Sequence, residues 1–272
     1  MKLQEKYKEL RNKPSALLAT NFYNFETLNG ILQAAVVTNS PIILQLTESS
    51  IQYMGLPIAF SMAKSAIKYY DVEAWIHLDH GGSFELVAKC LDAGFDSVMI
   101  DASEKPFMQN IEITRKVVKL AAKYGACVEA ELGYVAKLGQ STEKRGFTEP
   151  EQAKVFVEKT GVDALAVAIG SAHGFYKEDP KLDMERLSQI STVTDAALVL
   201  HGGSGIPHTE LSEAMKRGIC KINLATEIKN IFMRTLQKHL ENESEIDLRK
   251  VFPTATQAVT DLVTGKLKVV NG

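Results

Sequence analysis

The stretch 73-EAWIHLDHGG-82 holds the pattern that decides the fold: a short, β-rich apolar run ends in polar residues, and paired glycines follow. Directly behind it stands Ser83, a residue type that opens helices. The same unit, a strand followed by an amphipathic helical stretch, recurs along the whole chain. Eight such strand runs can be counted: 15-SALLAT, 41-PIILQLT, 73-EAWIHLD, 95-FDSVMID, 126-ACVEAELG, 164-ALAVAIG, 197-ALVLHGG and 219-ICKINLA.

Eight strand-helix units predict a (β/α)8 TIM barrel, in which a closed ring of parallel strands lies inside a ring of helices. An open doubly wound sheet is the alternative, but the regular repetition over this length favours closure. No linker rich in proline, glycine or serine divides the series, so residues 1–272 are predicted to form a single barrel domain with a helical C-terminal extension. The helices are predicted to open at Asn24 or Glu26, at Ser83 and at Pro150, and to close at Gly94, Gly125, Gly161 and Gly218.

The composition excludes several classes of protein. The chain has 272 residues, 45% of them hydrophobic, and a formal net charge of -2, which gives no global reason to bind nucleic acid or an anionic membrane. No apolar run reaches the roughly 20 residues that cross a bilayer, and the charged N-terminus has no signal-peptide core. Cys90, Cys127 and Cys220 are few and odd in number, as expected of reduced thiols in a cytoplasmic protein.

Polar residues gather at the carboxyl ends of the predicted strands. In a barrel of this type the chemistry takes place at that end, where the strand-helix loops meet. The opposite ends begin mostly with small or apolar residues, so the clustering indicates a site. In chain order the rim residues are Asn21, Thr47, Asp79, His80, Asp101, Glu131, His173, His201, Gly202, Gly203 and Asn223.

Three of these rim residues, His80, His173 and His201, match the ligand set of a catalytic zinc ion, in which neutral imidazoles leave one position open. Asp101 and Glu131 are predicted to support those ligands or to form an alternative metal position. The competing interpretation is that each is a satisfied polar residue at a barrel rim. His77 lies on the same face as Asp79 but deeper, where either a ligand or a buried supporting residue fits, and we favour support.

Two loops carry features of phosphate binding. The run 201-HGGSG-205 ends a strand and leads into a helix, so its backbone N–H groups can face an anion. At the next strand, 223-NLAT-226 repeats this arrangement. These are the two strands that hold phosphate in many such barrels. A helix cap with a tight turn is the alternative interpretation.

Two further loops are too long for ordinary connections. The stretch 133-GYVAKLGQSTEKRGF-147 is polar, punctuated by glycines, and predicted to be a mobile flap. The stretch 171-SAHGFYKEDPKLD-183 is a second extended loop. Both follow strands whose ends carry candidate site residues.

The motifs HLDHG, SVMIDAS, VEAELG, GVDALAVAIGSAHG, LVLHGGSG and CKINLATE, in this order, resemble those of the class II, zinc-dependent ketose-bisphosphate aldolases over nearly the whole chain. The resemblance implies a TIM barrel, usually a homodimer or homotetramer. It implies reversible cleavage of a ketose 1,6-bisphosphate into dihydroxyacetone phosphate and an aldehyde.

The resemblance also implies roles for individual residues. His80, His173 and His201 would hold the zinc ion, and Asp79 would move the proton of the C4 hydroxyl. Asn21 and Thr47 would line the aldehyde side, although Thr47 stands where a serine is common, and Arg249 would reach the distal phosphate of a neighbouring subunit. Residues on the dihydroxyacetone phosphate side, often beside a monovalent cation, would be Gly174, Lys177, Gly202, Gly203, Ser204, Asn223, Ala225 and Thr226.

Departures from the family pattern leave the substrate open. Relatives carry a flap glutamate that moves the C3 proton, whereas this chain has 136-AKLGQS-141 in register, with Glu143 as a possible replacement. Ala225 stands where many fructose-bisphosphate enzymes place an acidic or amide residue, which favours the tagatose-bisphosphate branch. The altered flap also allows a deoxy or modified ketose 1-phosphate, or a non-catalytic sugar-phosphate-binding barrel.

A lysine Schiff base is the alternative chemistry to zinc. Lys221 alternates onto the same face as Asn223, but two residues deeper. We expect a buried lysine paired with Glu129 instead.

Overall fold

The computed structural model describes residues 1–11, 13–137, 146–176, 180–241 and 244–272. Eight parallel strands form a closed barrel: β1 (Leu17–Asn21), β2 (Ile42–Thr47), β3 (Ala74–Gly81), β4 (Ser97–Ile100), β5 (Cys127–Leu132), β7 (Ala164–Val167), β9 (Ala197–Leu200) and β10 (Ile219–Leu224). Around the barrel they follow the order β1-β10-β9-β7-β5-β4-β3-β2. Two short strands, β6 (Ala136–Lys137) and β8 (Ala172–His173), pair with each other outside the barrel. The predicted TIM barrel and its eight strands are confirmed.

The helices surround the strands, and their ends follow the predicted signals. Asn24 accepts a hydrogen bond from the N–H of Thr27, and Ser83 accepts one from the N–H of Leu86. Gly161 ends a helix in the left-handed conformation. The helices are α1 (Leu3–Leu10), α2 (Phe25–Thr38), α3 (Glu48–Met54), α4 (Leu56–Tyr70), α5 (Phe84–Ala93), α6 (Phe107–Ala121), α7 (Pro150–Thr160), α8 (Met184–Val193), α9 (His208–Lys216), α10 (Thr226–Leu240) and α11 (Leu248–Asn271).

The inside of the barrel changes from apolar to polar along the strands. Side chains alternate between the interior and the helices, so every second residue of a strand points inward. On β3 the inward residues are Trp75, His77 and Asp79, in order from the bottom of the barrel to its mouth. Trp75 belongs to an apolar cluster with Leu3 and Tyr7 of α1, which closes the bottom. The barrel interior is therefore apolar at the bottom and polar at the mouth.

The C-terminal extension packs along the barrel wall. α11 lies so close to α2 that a Cβ on Gly30 would come 2.7 Å from the carbonyl oxygen of Thr256. The N–H of Ala16, just before β1, donates to the carbonyl oxygen of Val270 at 3.0 Å. Among the described residues, no helix has both the length and the apolar character needed to cross a membrane. That residues 1–272 form a single domain stays a prediction.

Candidate active site

The end of β3 brings two neighbouring residues to the barrel mouth. Strict alternation would turn Asp79 and His80 to opposite faces of the strand. His80 instead has a positive φ of 51°, and the pairing of β3 with β4 shifts in register between Leu78 and Gly81. A left-handed backbone is strained for a residue other than glycine, and such strain often marks functional sites. The shift allows both side chains to take part in one site.

Asp79 is buried and held by three amide groups. Its Oδ2 accepts a hydrogen bond from Asn21 Nδ2 at 3.0 Å, and its Oδ1 accepts from Gln45 Nε2 at 3.3 Å and Asn223 Nδ2 at 3.4 Å. Burial acts to raise the pKa of Asp79, but the charges of the nearby histidines and of Lys221, together with the hydrogen bond from Asn21, outweigh it and lower the pKa below its usual value. The carboxylate is thus fixed in position and ionised, ready to accept a proton.

The three predicted histidine ligands converge. The ring centroids of His80 and His201 are 4.8 Å apart, and those of His173 lie 5.1 Å from His80 and 5.8 Å from His201. One ring nitrogen of each can be chosen so that all three lie within 4.8 Å of one another.

One detail of the prediction for His173 is wrong. It does not end a barrel strand, because β7 stops at Val167 and the chain leaves the barrel through Gly170, which has a φ of 108°. His173 lies six residues after Val167, in β8, which pairs with β6. The short two-stranded sheet, and not the barrel itself, brings this histidine to the mouth.

Hydrogen bonds behind the rings orient two of the histidines. His80 Nδ1 lies 2.8 Å from Asp101 Oδ2, and His201 Nε2 lies 2.9 Å from Glu129 Oε1. We assign the ring N–H to these nitrogens, because a carboxylate accepts. The opposite nitrogens, His80 Nε2 and His201 Nδ1, are buried and have no hydrogen-bond partner. A metal ion would satisfy two such buried nitrogens, and both belong to histidines whose ligand atoms lie within 4.8 Å of one another.

The electrostatics of the cluster also fit a bound cation. Burial and the charges of His201 and His80 lower the pKa of His173 to about 3, so its ring is neutral and can offer a lone pair. Burial acts to lower the pKa of His201, but Glu129 and Glu131 outweigh it and raise the pKa to about 10. Glu129 and Glu131 therefore favour a positive charge at the His201 ring. A bound divalent cation would provide that charge in place of the ring proton.

Asp101 and Glu131 offer a second arrangement. A carboxylate oxygen of Asp101, a carboxylate oxygen of Glu131 and a ring nitrogen of His80 all lie within 4.8 Å of one another. These three residues therefore form a second group that could hold a metal ion. Glu131 Oε2 lies 3.2 Å from His201 Nδ1, but the geometry does not make a hydrogen bond, and this oxygen is otherwise unpartnered. Both predicted roles, support and alternative position, are compatible with the structure.

A buried charged layer lies directly below the histidines. Lys221 Nζ is 2.6 Å from Glu129 Oε2 and 3.2 Å from His77 Nε2, and the other ring nitrogen of His77 lies 2.8 Å from Ser97 Oγ. The predicted pairing of Lys221 with Glu129 is confirmed. Burial and the charge of Lys221 lower the pKa of His77 to about 3, as expected for a neutral supporting residue. His77 supports the layer and is not among the metal-binding groups of the described residues.

The loop 201–205 has the geometry of an anion cradle. A Cβ on Gly202 would collide with the backbone of Ala172, and one on Gly203 would lie 2.7 Å from the carbonyl oxygen of Asn223. Only glycine allows this close approach. Ser204 is buried, and its Oγ accepts the N–H of Glu227 at 3.3 Å, which leaves the hydroxyl proton free to donate to an anion.

The remaining predicted substrate residues lie on several different elements. Gly174 follows His173 with a φ of 106°, and Ala225 and Thr226 form the start of α10 beside Asn223. Thr47, the last residue of β2, caps α3, because its hydroxyl accepts the N–H of Ser50 at 3.2 Å. Arg249 lies on α11, exposed and paired with Asp247 at 2.8 Å. Lys177 and most of the predicted flap, including Glu143, lie outside the described residues.

Sequence reasoning missed two side chains of the site. Gln45 is fully buried beside Asp79, and its only signal was a polar residue inside the apolar run 42-IILQLT-47. Tyr176 joins two loops, because its hydroxyl accepts the N–H of Ala172 at 2.7 Å and donates to the carbonyl oxygen of Gly202 at 2.9 Å. It thereby ties the segment of His173 to the glycine loop.

The chain is similar to known proteins over its whole length. A family model described as fructose-bisphosphate aldolase class-II matches residues 1–272. A fructose-bisphosphate aldolase of Helicobacter pylori is 39% identical over 280 residues, which cover 92% of this chain and 91% of that protein. One of Staphylococcus epidermidis is 40% identical over 254 residues, which cover 91% and 89%. The crystal structure of the YdjI aldolase from Escherichia coli K12 superposes with a TM-score of 0.87 at 30% identity, covering 98% of this chain and 96% of that one. The chain therefore belongs to the class II fructose-bisphosphate aldolase family.

Proposed function

We propose that this protein catalyses the reversible cleavage of a ketose 1,6-bisphosphate, of tagatose or fructose type, to dihydroxyacetone phosphate and an aldehyde. The observation that carries the proposal is the meeting of three histidines with the Asp79 carboxylate at the barrel mouth. His80 Nε2 lies 3.9 Å from Asp79 Oδ1, so a metal ligand and a proton acceptor are neighbours. The glycine loop follows His201 directly.

His80, His173 and His201 are proposed to hold a zinc ion, with Asp101 and Glu131 as the alternative position. When bound, the ion supplies Lewis-acid polarisation of the substrate carbonyl and stabilisation of the negative charge that develops there. A monovalent cation near the dihydroxyacetone phosphate, which the family resemblance implies, stays a prediction.

Asp79 is proposed to take the proton from the C4 hydroxyl. The C3–C4 bond then breaks, its electron pair stays on C3, and the C4 oxygen becomes the carbonyl of the aldehyde. Asn21, Gln45 and Asn223 donate to both oxygens of Asp79, so the carboxylate is held in place without help from substrate. In place of the flap glutamate, either Glu143 or another group moves the C3 proton.

The loops around the mouth are proposed to bind the two ends of the sugar. Gly202, Gly203 and Ser204 take the phosphate of the dihydroxyacetone half, together with Gly174, Lys177, Asn223, Ala225 and Thr226. Asn21 and Thr47 line the aldehyde half. A non-catalytic barrel is not favoured, because the chain has both Asp79 and all three histidines, and they lie close together at the barrel mouth.

A coupled cleavage assay tests this function on fructose and tagatose 1,6-bisphosphates and on the corresponding 1-phosphates. We expect one of the bisphosphates to have the highest kcat/KM, with tagatose favoured by Ala225. Cleavage of none of the four sugars by zinc-loaded protein would contradict the proposal, and preference for a 1-phosphate would redirect it to the modified-ketose alternative.

Arg249 is proposed to bind the distal phosphate in the neighbouring subunit of a homodimer or homotetramer. Its side chain is 89% exposed in the single chain, which leaves it available to a partner. Arg249→Ala should raise KM for the bisphosphate by about 10-fold or more, the effect of losing a charged hydrogen bond, and change KM for the 1-phosphate little. The control is Lys250→Ala, which removes another exposed cation from the same helix. Equal increases in KM for the bisphosphate and the 1-phosphate would show that Arg249 does not bind the distal phosphate.

A further inference from the structure

The glycine loop touches a carboxylate that the proposed reaction does not use. Glu227, in the first turn of α10, accepts a hydrogen bond from the N–H of Gly205 through its Oε1. Its own N–H donates to Ser204 Oγ at 3.3 Å. These two bonds connect the loop and the start of the helix in both directions, and they fix the loop in the conformation that faces the mouth.

A carboxylate at this place is unfavourable for binding phosphate. The N–H groups of the loop and the start of α10 form a positive region that attracts anions. Glu227 takes up one of these N–H groups and adds a negative charge beside the rest. Only 13% of its side chain is exposed, so water screens this charge poorly. An uncompensated Glu227 would repel a phosphate dianion.

A buried lysine supplies the compensating charge. Lys266 extends from α11, and its Nζ lies 3.1 Å from Glu227 Oε1, with only 9% of the lysine side chain exposed. It reaches the same oxygen that accepts from Gly205. A lysine is rarely buried to this extent unless it is paired, so the pair is a built feature of the packing between α10 and α11.

We propose that Lys266 is a positioning residue for phosphate binding: it neutralises Glu227, so that Glu227 can hold the glycine loop without repelling the substrate phosphate. This rests on the proposed function, which places a phosphate at the loop 202–205. It gives the C-terminal extension a role in the site, in addition to covering α2.

The first test is Lys266→Met in the zinc-loaded, full-length protein, with calorimetric titration of inorganic phosphate and steady-state cleavage kinetics. We expect phosphate affinity to fall by about tenfold and KM to rise by a similar factor, because a like charge is now uncompensated, while kcat changes by less than about 2-fold. Lys268→Met, an exposed lysine two residues further along α11, is the matched control and should bind phosphate as the wild type does.

Two further variants separate charge from structure. Glu227→Gln keeps an oxygen that can accept from Gly205 but removes the charge. In the Lys266→Met background it should restore phosphate affinity to within about 3-fold of wild type, and alone it should tighten phosphate binding. If Lys266→Met binds phosphate normally, or if Glu227→Gln neither rescues that variant nor tightens binding alone, the proposal is overturned. Wild-type protein that binds no phosphate would overturn the proposed function itself, and this inference with it.

Discussion

Asp79→Asn is expected to lower kcat for ketose-bisphosphate cleavage by about 1,000-fold, within the range found for loss of a general acid-base residue. The amide has nearly the same shape as the carboxylate, but it cannot take up the proton of the C4 hydroxyl. It also places an NH2 group among three amide donors that now point at carboxylate oxygens. Steady-state kinetics of the zinc-loaded variant provides the measurement.

The control for this experiment is Asp163→Asn. Asp163 is another partly buried carboxylate that accepts a backbone hydrogen bond, from Val128 at 2.8 Å, but it lies at the opposite end of the strands. We expect that variant to keep kcat within about 3-fold of wild type, since it does not touch the mouth. If Asp79→Asn kept a tenth or more of the activity while binding zinc normally, another residue would have to be the base.

The second large effect concerns stability. Lys221→Met should lower the free energy of unfolding of the metal-free protein by about 3–5 kcal/mol, the cost of leaving one member of a buried ion pair without its partner. Lys221 and Glu129 are both almost completely inaccessible to solvent, and their charged atoms lie 2.6 Å apart. Equilibrium unfolding in urea measures the change.

Lys216→Met is the matched control, because Lys216 is 63% exposed and its nearest carboxylate, Glu213, is 3.9 Å away. Such a surface pair contributes little, so the control should change the unfolding free energy by less than about 1 kcal/mol. A similar small change for Lys221→Met would show that Glu129 does not need the lysine. The Lys221–Glu129 pair would then not be needed to hold His201 in place.

The fold was readable from the sequence because its signals are local. Each barrel strand is a short apolar run bounded by polar or glycine residues, and capping residues such as Asn24 and Ser83 mark where helices begin. Closure of the barrel followed from the number of units, and the structure confirms it. The short β6–β8 sheet was not predicted, because two-residue strands carry no periodic signal.

The site was predictable only in part. Its rim residues could be found because parallel strands bring their carboxyl ends together, and the structure does gather Asp79 with the three histidines. Their catalytic roles stay predictions. The partners that hold the site were harder to find: Glu227 and Lys266 are 39 residues apart, and no sequence pattern connects them.

The most direct test of the central claim, a metal-dependent cleavage at the three histidines, is a zinc titration of chelator-treated protein in the cleavage assay. We expect less than about 1% of the zinc-loaded rate without metal, and a rate that rises with added zinc until it saturates at about one ion per chain. Cleavage at the full rate by metal-free protein, with borohydride trapping the substrate on Lys221, would contradict the account.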